Sequence, residues 1–540
     1  GRVQTPTLAI LVRRTQEIRA FVPETFFTVT ASFGDYQGTW FDPDAKDQKT
    51  SHRIANKEKA NEIAKAVRGK RATVIDVNRE QKRELPPLLY DLTTLQRDAN
   101  SSLGFTASKT LACAQALYEK HKAITYPRTD SKHLPQDMTG KVSGALTALP
   151  VAYQPLVSGI PKPNGTLPAP RRVYDDSRVS DHHAIIPTPQ KVDPARFTPD
   201  EHALYDLVAR RFIAAFYPAH EYEAVRVITQ SLGHNFRSTG RTVLVSGWKD
   251  VIRDKAADKE TLPGLAVGDE RQTQSASVKQ DATKPPPAHN DASLLSAMET
   301  AGKDIEDEAL REQMRGSGLG TPATRAAIIE RLIRVGYVRR QGKALHATLK
   351  GEQLIAAVPA EIASAETTAK WEQELEDIAR GKKDTQRFDA GIRRFTKFLV
   401  GYARDSAPDI AFERDKPRGK RISTKPAGKS LPDVACPLCG KPVLENEKAF
   451  GCAGWKEGCG FTLWKNALER GKGPPLNAAI VGKLLASGEV SGSTGVIRLC
   501  DGQMTYTEKG ADQAAVQTPI IYHKTRTTGK AGSPPANKEG

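Results

Sequence analysis

The chain has 540 residues, enough for several domains that each bury a core, and its 80 Lys and Arg outnumber 63 Asp and Glu for a formal charge of +17. That balance points to a polyanionic partner, most simply nucleic acid. No apolar run reaches the ~18 residues of a membrane-spanning helix, no signal-peptide pattern opens the chain, and six cysteines are too few for a disulfide scaffold of this length.

Residues 2–20 pattern as a helix, with Val3, Leu8, Leu11, Val12 and Ile18 on one face. Residues 26–41 alternate through Phe27, Val29, Ala31 and Phe33 and read as strands. A short helix is expected at 57–68 and a strand at 73–77, and Pro86-Pro87 marks a boundary. Residues 92–217 read as mostly helical. Thr106 is placed to cap a helix running to about Lys120, whose stripe is Ala107, Leu111, Ala114, Leu117 and Tyr118. Thr198-Pro199-Asp200-Glu201 is a capping box with proline at the first helical position. Between them, residues 150–178 are rich in Pro and Gly and are expected to be loop.

Strand patterns return at 224–228, 242–245 and 275–278. Residues 21–90 and 218–287 are therefore expected to form one β domain, interrupted by a helical insert at 91–217. After Lys284-Pro285-Pro286-Pro287 the pattern is helical to 402, and residues 288–402 are grouped with 1–20. There Thr321-Pro322 starts a helix through Ile328, Ile329, Leu332 and Ile333 that ends at Gly336. A turn at Gln341-Gly342 follows between short extended runs, a winged-helix outline. Residues 403–432 carry Arg414, Lys416, Arg418, Lys420, Arg421, Lys425 and Lys429 without apolar period and read as a disordered basic linker. A compact cysteine module is expected at 433–466. Residues 467–540 should hold a small helix-plus-hairpin unit at 476–508 and a flexible tail. The fold class is multidomain α+β.

The chemistry concentrates in Ala123-Ile124-Thr125-Tyr126-Pro127-Arg128-Thr129-Asp130-Ser131. Proline disfavours the α region for the residue before it, and in an extended chain residues i and i+2 point the same way. The phenol of Tyr126 and the guanidinium of Arg128 are therefore expected to face one target. A phenol nucleophile beside a two-pronged cation suits attack on a phosphodiester. Taken alone, the tripeptide also fits an ordinary strand end with an exposed Tyr–Arg pair.

Cys436, Cys439, Cys452 and Cys459 follow a C-x2-C-x12-C-x6-C spacing with zinc-ribbon character, so Zn²⁺ is the expected ion, and such a thiol set fits a reducing cytoplasm. Phe450, Trp455, Phe461 and Trp464 interleave with these ligands, where they suit either stacking on unpaired bases or the module's own core. Cys113 lies on the stripe side of its helix, and Cys500 stands outside this ligand spacing and is not expected to be a ligand. Pro426-Ala427-Gly428-Lys429-Ser430 imitates a nucleotide-binding loop, but Ser423 stands where that loop needs its first glycine.

Five tracts, in order, resemble type IA DNA topoisomerases. They are Gly1-Arg2-Val3-Gln4-Thr5-Pro6-Thr7-Leu8, the run Pro87-Leu88-Leu89-Tyr90-Asp91-Leu92-Thr93-Thr94-Leu95-Gln96-Arg97-Asp98-Ala99-Asn100, the Tyr126 tract, Ser180-Asp181-His182-His183-Ala184-Ile185-Ile186-Pro187-Thr188, and Gly318-Leu319-Gly320-Thr321-Pro322-Ala323-Thr324-Arg325-Ala326-Ala327-Ile328-Ile329. The resemblance covers residues 1 to about 400 and is greatest to the bacterial topoisomerase III class. It implies a toroidal core with a β hinge and a helical gate, followed by the zinc ribbon. It implies Tyr126 as nucleophile, forming a 5′-phosphotyrosine that keeps the bond energy and makes ATP unnecessary. Arg128 would offset charge at the phosphate. His182 would contact it, although spacing leaves the adjacent His183 open. Arg2 and Gln4 would touch the strand in a single-strand groove. Thr324 and Arg325 would meet phosphate at a helix N-terminus, where Thr321 also serves as a simple cap.

The resemblance further implies Mg²⁺ held by acidic residues of a TOPRIM domain, expected ahead of Gly1, and no carboxylate in this sequence is assigned to it. The expected partner is DNA, single-stranded or underwound, acted on by a monomer in the cytoplasm at the nucleoid. Without the TOPRIM domain this polypeptide by itself is expected to be inactive as an enzyme, and the rival expectation is that it acts only as a single-stranded DNA-binding protein.

Overall fold

The structure is a computed structural model that describes residues 1–252, 261–303, 305, 307–406, 429–457, 459–469, 473–500, 503–510 and 517–519. The chain divides into two compact units, Gly1–Glu413 and Arg414–Gly540. The basic run from Arg414 to Lys425 and the tail beyond 519 lie outside the described residues. Among the described residues no helix is long and apolar enough to cross a membrane.

The first unit is built on a seven-stranded antiparallel sheet. Its strands are β1 (Thr25–Ser32), β2 (Gln37–Trp40), β3 (Arg71–Glu84), β4 (His220–Ser231), β5 (His234–Val245), β6 (Glu270–Gln272) and β7 (Ser275–Ala282), in the order β6-β3-β4-β5-β2-β1-β7. Strands from both sides of the helical insert thus share one sheet. The β4–β5 turn is Leu232-Gly233, both with positive φ (48° and 79°), as a two-residue hairpin turn that follows the strand twist requires. β3 runs to Glu84, seven residues past the apolar stretch that marks its start. Those added residues are polar, five of the seven charged, and pair across the ladder. Arg79 bonds Glu223 at 2.9 Å and Arg83 bonds Glu221 at 3.2 Å, and such cross-strand pairs support a strand that lacks apolar alternation.

Before the insert come α1 (Gln4–Ala20) and α2 (Lys57–Val67). Asn56 caps α2 through the Lys59 amide, and Ala60, Ile63, Ala64 and Val67 pack on Val29, Val74 and Val227 of the sheet. The insert holds α3 (Leu92–Leu103), α4 (Ala107–Glu119), α5 (Thr139–Ala148), α6 (Gln154–Ser158) and α7 (Pro199–Ala214). Asp91 and Thr106 cap α3 and α4, and Thr198 with Glu201 closes the capping box on α7. Leu95, Leu117, Ile124, Leu204 and Phe212 centre the insert's core. The stretch 150–178 is not plain loop. It contains α6 and sends Tyr153, Ile160, Val173 and Tyr174 into that core, at spacings too irregular to read as either period.

Beyond the sheet lie α8 (Asp291–Glu299), α9 (Glu308–Ser317) and α10 (Pro322–Arg334). The hairpin β8 (Val338–Gln341) and β9 (Ala344–Ala347) follows, then α11 (Leu349–Ala357), α12 (Ala360–Ala363), α13 (Ala365–Ala379) and α14 (Thr385–Gly401). Leu8, Leu11 and Val12 of α1 join Leu294, Leu295, Ile329 and Leu332 in one core. This packing, rather than propensity, fixes the first helix to a region nearly 300 residues later.

The second unit has two four-stranded antiparallel sheets. One is β10 (Lys429–Ala435), β11 (Pro442–Glu445), β12 (Ala449–Cys452) and β13 (Thr462–Trp464). After α15 (Ala478–Ser487) comes the other, β14 (Glu489–Ser491), β15 (Gly495–Cys500), β16 (Gln503–Glu508) and β17 (Gln517–Pro519). Phe450, Phe461 and Leu463 of the cysteine module share a core with Val481, Leu484 and Met504.

Candidate active site and metal centre

The tracts around Tyr126 and His182 run side by side. Ile124 pairs with Pro187 as an antiparallel bridge. The Thr125 amide donates to the Ile186 carbonyl at 2.9 Å, and the Thr125 hydroxyl accepts the Ile186 amide at 3.0 Å. Further along, the Thr129 hydroxyl donates to the His182 carbonyl at 2.8 Å, and Ser180 donates to Asp130 at 3.0 Å. This lacing brings the Tyr126 ring to 4.3 Å from the His182 ring, tilted by 44°. Tyr118, at the end of α4, meets Tyr126 edge-on at 5.5 Å. Both rings of the tyrosine–histidine pair open on a cavity of about 610 Å³, lined also by Tyr118, Lys122, Thr188 and Gln190. His183 turns away: it is half-buried and its Nδ1 lies 2.8 Å from the Ala184 carbonyl. A larger hollow of about 860 Å³ lies along α1, lined by Pro6, Arg13, His289 and Glu352 among others, and shares no residue with the Tyr126 cavity.

Other expected site residues fall elsewhere. The chain bends at Thr125 and Pro127 instead of running extended, so period-2 alternation does not apply to Tyr126 and Arg128. Arg128 is exposed, outside the cavity lining, and without a hydrogen bond or ion pair among the described residues. Arg2 ion-pairs with Glu372 of α13 at 2.5 Å, and its carbonyl accepts from Thr368. Gln4 opens α1, half-buried.

Thr324 spends its hydroxyl on the cap of α10, accepting the Thr321 amide at 3.0 Å. Arg325 departs furthest from the expectation of a phosphate contact. It is 2% exposed, donates to the Thr93 hydroxyl at 3.1 Å and to the Leu319 carbonyl at 3.4 Å, and burial lowers its pKa. The reason is tertiary: α3 covers the N-terminus of α10, so the guanidinium ties two helices instead of facing solvent. Lys122, Tyr118, Thr188 and Gln190 are cavity residues that sequence reasoning missed. Only the position of Lys122 and Thr188 at the edges of the two tracts offered a signal.

The four cysteines converge. Their sulfurs all lie within 4.8 Å of one another, with Cys436–Cys459 at 3.7 Å and Cys439–Cys452 at 3.2 Å. Zinc–sulfur bonds of ~2.3 Å in a tetrahedron put sulfurs roughly 3.8 Å apart, so the set can hold a metal ion such as zinc. The first knuckle turns at Gly440 (φ 70°), whose amide bonds the Cys436 carbonyl at 2.9 Å. The Lys441 amide is the main influence that lowers the Cys439 thiol to about 7, while burial raises Cys436 and Cys452. Phe450 and Phe461 are buried, whereas Trp455 and Trp464 are 64% and 55% exposed. Among the described residues no other group of three or more His, Cys, Asp or Glu converges.

A family model described as DNA topoisomerase matches residues 1–389, and the chain belongs to that family. The match covers the seven-stranded sheet, the insert with Tyr126 and His182, and the winged region. The chain is 39% identical over 459 residues to DNA topoisomerase 3 of Bacillus thuringiensis (strain Al Hakam), covering 82% of this chain and 60% of the relative. The same figures hold for DNA topoisomerase 3 of Bacillus anthracis. The chain thus spans about 60% of the length of these curated relatives. Its fold is similar to that of full-length topoisomerase I from Thermotoga maritima, with a TM-score of 0.58 at 23% identity, covering 86% of this chain and 70% of that one.

Proposed function

We propose that this chain carries the strand-cutting core of a type IA DNA topoisomerase of the topoisomerase III class, which relaxes or decatenates DNA without ATP. The observation that carries this reading is the Tyr126 ring held 4.3 Å from the His182 ring at an open cavity, inside the matched family region. The Tyr126 phenolic oxygen attacks the scissile phosphorus. The bond to the 3′ oxygen breaks, a 3′-hydroxyl leaves, and the new 5′ end stays on the protein as a phosphotyrosine. One phosphoester is made for each one broken, so attack by the 3′-hydroxyl reverses the step without an energy source. In this proposal His182 stabilises charge on the phosphate beside the phenol, and exposed Arg128 supplies a cation to the strand.

In this reading the seven-stranded sheet is the hinge and the insert is the gate through which a second strand passes. Gln4 and Thr324 border the bound strand. Contact of Arg2 with a phosphate requires exchange of its Glu372 partner. The four cysteines hold Zn²⁺, and Trp455 and Trp464 stack on unpaired bases, giving a preference for single strands. The protein acts as a monomer in the cytoplasm on nucleoid DNA. The test is trapping on end-labelled single-stranded oligonucleotides after denaturation. A 3′ label should remain with the protein and a 5′ label should leave with a free 3′-hydroxyl. Retention of the 5′ label instead would overturn the assignment.

A further inference from the structure

We propose that Lys122 is the cation that seats a backbone phosphate of the attacked strand in the Tyr126 cavity; this rests on Tyr126 being the nucleophile. Lys122 has φ 52°, one of three non-glycine residues with positive φ among the described residues, the others being Leu232 and Asp433. Leu232 is explained by its hairpin turn. At Lys122 a glycine would take the same backbone without strain, so the backbone alone does not call for lysine. Unfavourable backbone held in place by its surroundings is a pointer to function.

The bend is clamped on both sides. The Ala123 amide donates to the Leu117 carbonyl at 2.8 Å, the Thr188 hydroxyl to the Lys122 carbonyl at 2.6 Å, and the Thr188 amide to the Ala123 carbonyl at 3.1 Å. These bonds aim the side chain along the end of α4. Its ammonium lies 5.6 Å from the centroid of Tyr118, within cation–π reach, and Tyr118 in turn touches Tyr126. The cavity lining contains Lys122 and the His182 imidazole but neither Asp nor Glu, and Lys122 has no ion-pair partner among the described residues. Arg128 stands outside that lining. A cavity with one full positive charge, the side-chain amide of Gln190 and no acid is matched to an anion. In a strand-cutting site that anion is a phosphate of the DNA backbone, which an ammonium binds as a point charge.

Salt titration of single-stranded oligonucleotide binding tests the proposal. Each phosphate contact contributes about 0.7 to the slope of log K against log salt for single strands. Lys122→Gly removes the ammonium and suits the backbone, and Lys122→Asn tolerates the same φ while keeping a side chain. Both should lower the slope by about 0.7 without lowering the melting temperature, and Lys122→Arg should retain the wild-type slope. Lys120→Ala removes an exposed cation two residues earlier, outside the cavity lining, and should leave the slope unchanged. An unchanged slope in the Gly and Asn variants, or an equal fall in Lys120→Ala, overturns the Lys122 site alone. Absence of any single-strand binding by the wild-type chain overturns the parent reading instead.

Discussion

The hydroxyl of Thr129 joins the tyrosine tract to the histidine tract: it donates to the His182 carbonyl at 2.8 Å and accepts the Ser131 amide at 3.1 Å, and Thr129 is 2% exposed. One buried side chain therefore orders the loop that carries His182 relative to the segment that carries Tyr126. Thr129→Val preserves the shape and removes both bonds. Stability should fall by about 1–2 kcal/mol in urea unfolding, and strand cleavage should slow because His182 loses its anchor. Thr129→Ser should retain most of both. Equal cleavage in the Val and wild-type proteins would show that the clip does not position the histidine.

Tyr126→Phe removes the phenolic oxygen proposed as the nucleophile while keeping the ring contacts to His182 and Tyr118. Covalent capture of oligonucleotide should vanish and binding should stay within a few fold, checked by denaturing gel and by anisotropy on the same preparation. An adduct that persists in Tyr126→Phe would move the nucleophile elsewhere.

The two neighbouring histidines should behave differently. His182 faces Tyr126 and the cavity, while His183 turns to the Ala184 carbonyl. His182→Ala should slow cleavage with a loss of about 2.7–4 kcal/mol at the transition state and little change in binding, as measured by single-turnover kinetics. His183→Ala should cost far less. The reverse ranking would give the phosphate contact to His183.

The cysteine module should bind one zinc ion per chain, with affinity falling as the solution is acidified because protons compete for the thiolates. Cys436 and Cys452 belong to the core shared with Val481 and Leu484. A strong chelator, or Cys452→Ser, should therefore unfold the helix–strand unit after the module along with the module itself. Retained zinc in Cys452→Ser, or hydrogen-exchange protection of α15 unaffected by chelation, would count against this coupling.

Asp291 is fully buried at the start of α8. Its Oδ1 accepts the Ala107 amide of α4 at 3.0 Å, and its carboxylate pairs with Arg340. Asp291→Ala removes the acceptor of the Ala107 amide and one of the two anions on Arg340, which keeps Glu330 at 3.2 Å, so unfolding in urea should show a loss of about 1–3 kcal/mol. Asp291→Asn keeps an acceptor for Ala107 and should lose less. A loss below 1 kcal/mol for Asp291→Ala would mean that the seam between α4 and α8 is not held by this group.

The features legible in the residues alone are local or chemical in origin. The capping box at Thr198 and Glu201 and the cap at Thr106 are bonds over three residues, complete within their own tetrapeptides. The four-cysteine spacing is set by the geometry of metal coordination. Tyr126 and His182 each stood out within a motif. Their contact did not, because it depends on a bridge from Ile124 to Pro187. Tertiary structure alone decided that β3 extends to Glu84, since its charged half is held by β4. It alone decided that Arg2 is engaged by Glu372, 370 residues away, and that Arg325 is inside, bonded to Thr93 232 residues before it. It also placed Lys122 in the cavity and Arg128 outside, because bends at Thr125 and Pro127 override strand alternation. The physical reason is one of range: caps, turns and ligand spacing are satisfied by near neighbours, whereas the burial and pairing of a long charged side chain depend on which distant surface the fold lays against it.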